Sequence, residues 1–246
     1  MLRTMAQLRG SDVLARDGRI GHVVDLYFED ARWMVRYFVV DTGSWLTGRK
    51  VLISPHAVQR IDDRLHAVRV DLTCERIRHS PDINTDKPVS RQHEAEYFRY
   101  FGYPPYWYSW SPTSYWAVGA MPSTVNPASA DRIELEERRI ADAREHGGQP
   151  GSHLRSNKAV CAYRVKEAGD EDIGQVGDFL FEEATWAVRY LVMNTGMGMP
   201  ARKVLIRTES IQEVDWADSV VRIGQTREQI VSSPQYDPAD RGGPAR

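Results

Sequence analysis

Residues Ile20–Ile53 recur, without a gap, as Ile173–Ile206, and 19 of the 34 aligned positions are identical. A chain that carries one unit twice is built from two copies of one module, and each copy restricts what the other can fold into. The duplicated stretch alternates apolar and polar residues in short runs bounded by glycine, aspartate or proline, the pattern of half-buried strands. Strands are predicted over Leu8–Leu14, Ile20–Glu29, Met34–Thr42, Lys50–Ser54, Val58–Asp62 and Leu65–Val70, then a short helix over Leu72–Arg78 that Ser80-Pro81 ends. The second copy repeats this plan from about Ala159 to Pro234. The chain therefore reads as mainly β, with modules in residues 1–81 and 158–234, a joining segment in 82–157 and a disordered tail in 235–246.

Positions kept in both copies separate architecture from specialisation. Val35, Tyr37 and Val39 return as Val188, Tyr190 and Val192 and are expected on the interior face of their strand, whereas Met34, Phe38 and Val40 on the other face become Ala187, Leu191 and Met193. Asp25 and Arg36 return as Asp178 and Arg189. With a hairpin turn centred on Asp30-Ala31 each pair falls directly opposite across two strands, which predicts a structural ion pair. Gly43 and Gly196 each follow a kept threonine and mark a turn with positive φ. Beyond them the copies part: Ser44-Trp45-Leu46-Thr47-Gly48 stands against Met197-Gly198-Met199-Pro200-Ala201. A changed loop on a kept framework is where a partner contact is expected, and Trp45 and Leu46 are its candidates.

The joining segment is not duplicated. Tyr97–Trp116 holds 11 of the 24 aromatic residues in the chain. A short helix is predicted over Ser90–Tyr100, and Pro104-Pro105 ends helix formation beyond it. So much indole and phenol does not stay in water, so the strip packs on something. The modules themselves are the favoured surface; docking to a protein through Tyr106, Trp107, Tyr108 and Trp110 is the other reading. Farther on, residues 131–146 read as a charged helix with Asp131 and Glu134 in capping-box spacing and Gly147-Gly148 as its stop.

Chemistry is sparse. The formal net charge of −2 argues against a broad electrostatic grip on nucleic acid, although residues 1–80 carry 13 basic and 10 acidic residues and residues 158–234 carry 9 and 12. No apolar run reaches a membrane-spanning length, and the N-terminal residues lack the apolar core of a secretion signal, so a cytoplasmic protein is expected. Cys74 and Cys161 do not align and are expected to be inert thiols. His93-Glu94 begins like a zinc motif, but Tyr97 stands where the second histidine belongs. His22, His56 and His66 align with Gln175, Glu209 and Ser219, so no histidine is shared by the copies. No catalytic, cofactor-binding or metal-binding residues are assigned, and no cofactor is expected.

The stretches IGHVVDLYFED, WMVRYFVVDTG and RKVLISP, with DIGQVGDFLFEE, WAVRYLVMNTG and RKVLI in the second copy, resemble the PRC-barrel family in a tandem arrangement. The segment PVSRQHEAEYFRYFGYPPYW is similar to the linker of bacterial two-copy members. The resemblance implies two small β-barrels used as a protein-binding scaffold or assembly adaptor without enzymatic activity. The family includes the cytoplasmic domain of the photosynthetic reaction-centre H subunit, which would place the scaffold at the cytoplasmic face of a membrane complex as a peripheral component. A related barrel in a ribosome-maturation factor gives the alternative, an RNA- or ribosome-associated role.

Overall fold

The structure, a computed structural model, describes residues 1–81, 89, 91–106, 154–196, 202–215 and 218–238. The helix expected over 131–146 and the loop at 197–201 lie outside them. In chain order the elements are β1 (Leu2–Thr4), α1 (Met5–Leu8), β2 (Asp12–Leu14), β3 (Arg19–Glu29), β4 (Met34–Asp41), β5 (Lys50–Ile53), β6 (Val58–Asp62), β7 (Ala67–Val70), α2 (Cys74–Arg78) and α3 (Arg91–Phe101). The second half supplies β8 (Leu154–Ser156), α4 (Asn157–Val160), β9 (Arg164–Lys166), β10 (Asp172–Glu182), β11 (Val188–Thr195), β12 (Lys203–Arg207), β13 (Ile211–Asp215), β14 (Val220–Ile223) and α5 (Arg227–Val231).

These strands form two seven-stranded sheets of the same order, β5-β4-β3-β2-β7-β6 and β12-β11-β10-β9-β14-β13, each with one further strand on the central one. The mainly β class expected from the alternation holds, but neither sheet closes into a barrel. The two end strands of each sheet follow one another in sequence, and a 3-10 turn, Pro55–Ala57 or Thr208–Ser210, carries the chain between the two edges without a ladder forming.

The seventh strand of each sheet comes from the other copy. β1 pairs with β10 through Leu2↔Glu182, Arg3↔Phe181 and Thr4↔Leu180, while β8 pairs with β3 through Tyr27↔Ser156, Phe28↔Arg155 and Glu29↔Leu154. There is room because β3 and β10 are 11 residues long, whereas β2 and β9 cover only their first halves. The chain then passes through α1 or α4 back to its own sheet. One cluster of buried apolar side chains spans both copies, from Met5 and Leu8 through Val35 and Phe38 to Val160, Phe179 and Ile223.

The two long hairpins also meet at their tips. Val35 N donates to Trp186 O at 2.9 Å and Val188 N to Trp33 O at 2.7 Å, on either side of a Met34↔Ala187 bridge. Trp33 and Trp186 both adopt positive φ, of 51° and 61°. That conformation is costly for a residue with a Cβ. It lays Trp33 on Phe28 at 5.6 Å and against Phe179 of the other copy at 5.8 Å, and Trp186 on Phe181 at 5.4 Å and against Phe38 at 5.5 Å.

Candidate interaction site

The kept aspartates do not meet the kept arginines. The hairpin turn spans four residues, Asp30 to Trp33, and bulges fall at Val24 and Arg36, so Asp25 faces Val39 while Arg36 has no partner in the ladder. Gly177 and Arg189 hold the corresponding places in the second copy. A bulge re-aims its side chain. Arg36 turns to Glu29, with Nε donating at 3.0 Å, and Arg189 turns to Glu182 at 2.8 Å. The predicted Asp25–Arg36 and Asp178–Arg189 pairs are thus replaced by Glu29–Arg36 and Glu182–Arg189, formed with glutamates that both copies also keep.

Asp25 and Asp178 instead hold the exchanged strands. Asp25 accepts from its neighbour Leu26 N at 2.8 Å, from Lys158 N at 3.1 Å and from the Ser156 hydroxyl. Asp178 accepts from Phe179 N at 2.8 Å and Ala6 N at 3.0 Å, with Thr4 close by. Burial raises the pKa of both carboxyls, and these donors oppose the rise. Arg3 donates to Glu183 at 2.8 Å and also pairs with Asp63, and its counterpart Arg155 donates to Asp30 at 2.8 Å. Cys161 lies near both aspartates; burial pushes its thiol up to about 11, the setting of an unreactive cysteine.

Thr4, Ser156, Arg3 and Arg155 are absent from the residues singled out in the sequence. The signal was there: Leu2-Arg3-Thr4 and Leu154-Arg155-Ser156 are near-copies, but they are 152 residues apart, one out of step with the main repeat.

The outer face of the first sheet is covered by the start of the aromatic strip. Tyr97 meets Tyr37 edge-on at 5.3 Å, Phe101 lies 4.6 Å from Tyr97, and Tyr103 stacks on Phe101 and on His56. Glu94, fully buried, accepts from the hydroxyls of Tyr37 at 2.9 Å and Tyr106 at 2.8 Å, and Tyr97 Oη accepts from Ser54 N at 2.9 Å. The Arg36 guanidinium lies 3.7 Å over the Tyr106 ring. Tyr106 is therefore enclosed and not a contact for a partner; Trp107, Tyr108 and Trp110 lie outside the described residues. Trp45 and Leu46, in a 3-10 turn over Gly43–Leu46, are half-buried against the core, with Arg78 5.5 Å over the Trp45 ring. Gly43 has the positive φ expected of it, at 56°, whereas Gly196 is not among the positive-φ glycines and donates to Ile173 O at 3.0 Å.

The second sheet carries the same residues on the same face, and among the described residues no helix covers them as α3 covers the first. The Arg189 side chain is 47% exposed where that of Arg36 is 5% exposed, and Tyr190 is half-buried where Tyr37 is fully buried. Leu180, Val192 and Leu205 form a small separate cluster there, flanked by Leu2, Tyr190 and Tyr236. Tyr236 belongs to the tail expected to be disordered, yet Gln235 pairs with Val204, Leu205 N donates to Pro234 O at 2.9 Å and Tyr236 N to Lys203 O at 2.9 Å.

The element that the comparisons recognise is the first unit, from β1 to the start of α2. Residues 3–75 match the PRC-barrel domain family. A comparison with curated proteins finds no match. The PRC-barrel match stops short of α3 and of β8 to β14, and the family is a non-catalytic one. Among the described residues no helix is long and apolar enough to cross a membrane.

Proposed function

We propose that this chain is a non-enzymatic scaffold that binds a protein partner, with a second PRC-type domain following the first. The repeated strand order and the identities between Ile20–Ile53 and Ile173–Ile206 support the second domain. PRC-barrel domains often mediate protein interactions. The observation that carries the scaffold reading is the unequal treatment of one face: Tyr37 and Arg36 are enclosed beside the chain's own α3, whereas Tyr190 is only half-buried and Arg189 is exposed. An apolar face rimmed by an arginine–glutamate pair is suited to a protein surface.

The test is capture of partners by the tagged full chain, with Tyr190→Ala and Arg189→Glu variants alongside. A discrete protein recovered in stoichiometric amount, resistant to nuclease and lost with either variant, is the expected result. Recovery that nuclease abolishes and that falls steeply with salt would replace this reading by an RNA-associated one.

A further inference from the structure

The edge of β12 is filled by the chain's own last described residues, and the fit has the features of a recognition site. Pro234–Tyr236 runs antiparallel to β12 with two main-chain hydrogen bonds, Leu205 N to Pro234 O and Tyr236 N to Lys203 O, around the single Val204↔Gln235 bridge. Addition of an extended segment to a free sheet edge is a common way for proteins to bind peptides. Here the added strand also delivers a side chain. Tyr236 packs with Leu2 and Tyr190 against the Leu180–Val192–Leu205 cluster, with Thr4 close to its hydroxyl and to Asp178. Apolar walls with one polar group at the end suit a tyrosine better than an aliphatic residue.

Charge is complementary as well. Lys203 is exposed at the end of β12 past which the seated segment continues into Asp237. The internal occupant is short: two hydrogen bonds set against the entropy of fixing the same residues leave little net hold. A competitor with longer pairing along Lys203–Arg207 would displace it.

We propose that the β12 edge and the cluster beside it form a docking site for an extended, acidic segment of a protein partner carrying a tyrosine, and that Pro234–Tyr236 occupies this site in cis until the partner arrives. This deepens the scaffold reading and rests on it.

The probe is a labelled peptide with the chain's own sequence Ser232–Asp240, titrated into the full chain and into its Tyr236→Ala variant. Vacating the seat is expected to tighten peptide binding by about tenfold or more, since the tethered segment no longer competes. The same peptide with alanine in place of tyrosine is expected not to bind. Tyr236→Pro, which also removes the N–H given to Lys203, serves as a second vacated form should Tyr236→Ala unfold the chain. Equal binding to the wild-type and vacated chains, or no binding to either vacated form, overturns the proposal. A partner captured by the wild-type chain while the vacated forms ignore the peptide would leave the scaffold reading standing and remove only this site.

Discussion

Asp25 and Asp178 show how a kept residue can be misassigned when only its own strand is considered. Their hydrogen bonds go to the opposite copy, so their loss is felt as a loosened exchange. Asp25→Ala leaves the Lys158 amide and the Ser156 hydroxyl without their acceptor and is expected to cost about 3 kcal/mol in chemical denaturation, whereas Asp25→Asn keeps an acceptor for the amides and is expected to cost about 1 kcal/mol or less. Gly21 is a kept glycine with a steric reason: a Cβ there would lie 1.9 Å from Asp41 O, and one at Gly174 would lie 2.2 Å from Asn194 O. Gly21→Ala is expected to lower stability by about 2 to 4 kcal/mol, read from the same unfolding curves. His56 gives a pH dependence. Burial, with Arg36 nearby, lowers its pKa from 6.5 to about 4, so the folded state favours the neutral ring. Its contribution is complete above pH 6.5 and is lost as pH falls toward 4, a total of about 3 kcal/mol. The raised aspartates act in the opposite sense, their contribution being present below the ordinary carboxylate value and lost as pH rises through the folded one. His56→Phe, which keeps the stack on Tyr103, should flatten the acid limb of a stability-against-pH curve; an unchanged limb would assign it to other groups.

At the scale of elements, most of the first module is legible from the sequence because alternation and turn residues report local structure. The helix expected over Ser90–Tyr100 is found one residue on, as Arg91–Phe101, and the strand of Val35, Tyr37 and Val39 lies where the pattern puts it. Its faces are the reverse of the expectation, however: Tyr37, expected inside, lies on the outer face under α3, and Phe38, expected on the other side, packs inward on Trp186 of the second hairpin. The register of that hairpin is not legible. Bulges at Val24 and Arg36 and a tryptophan in the left-handed region break the simple pairing sum, and none of these carries a glycine or proline to announce it. The Tyr236 seat is missed for a related reason: a polar tail without periodicity reads as disorder, and only the edge it lies on supplies its order. α3 makes its own prediction. Glu94 is the acceptor for two buried phenols, so Glu94→Ala should detach the helix from Tyr37, seen as faster amide exchange across Arg91–Phe101 and a loss of about 3 kcal/mol or more, while exchange in β13 and β14 stays unchanged.

For the molecule as a whole, the duplication suggests two beads on a string, and the exchanged strands make them one body. The prediction is thermal: calorimetry should show a single transition, with the calorimetric and van't Hoff enthalpies in agreement, in place of two transitions from independent modules. A substitution in the second copy, such as Gly174→Ala, should therefore lower the melting of the first. Two separate transitions would show that the exchange is too weak to couple the halves. The 153-residue repeat makes the two copies evident, but their linkage depends on three residues at each N-terminal edge, too short a signal to stand out from composition.

The exchange also orders events in time. Arg3 finds Glu183 across 180 residues of chain, and the first sheet receives its seventh strand only when Leu154–Ser156 exists. At about 5 to 20 residues per second on the ribosome, the N-terminal strand waits roughly 10 to 35 s for its place. During that interval the edge of β3 beyond β2 is bare, and a neighbouring nascent chain on the same message offers Leu2-Arg3-Thr4, a near-copy of the strand that belongs there. The closeness of ribosomes on the message, and hence the rate of initiation, sets the hazard of entanglement between copies for this protein more than its final stability does.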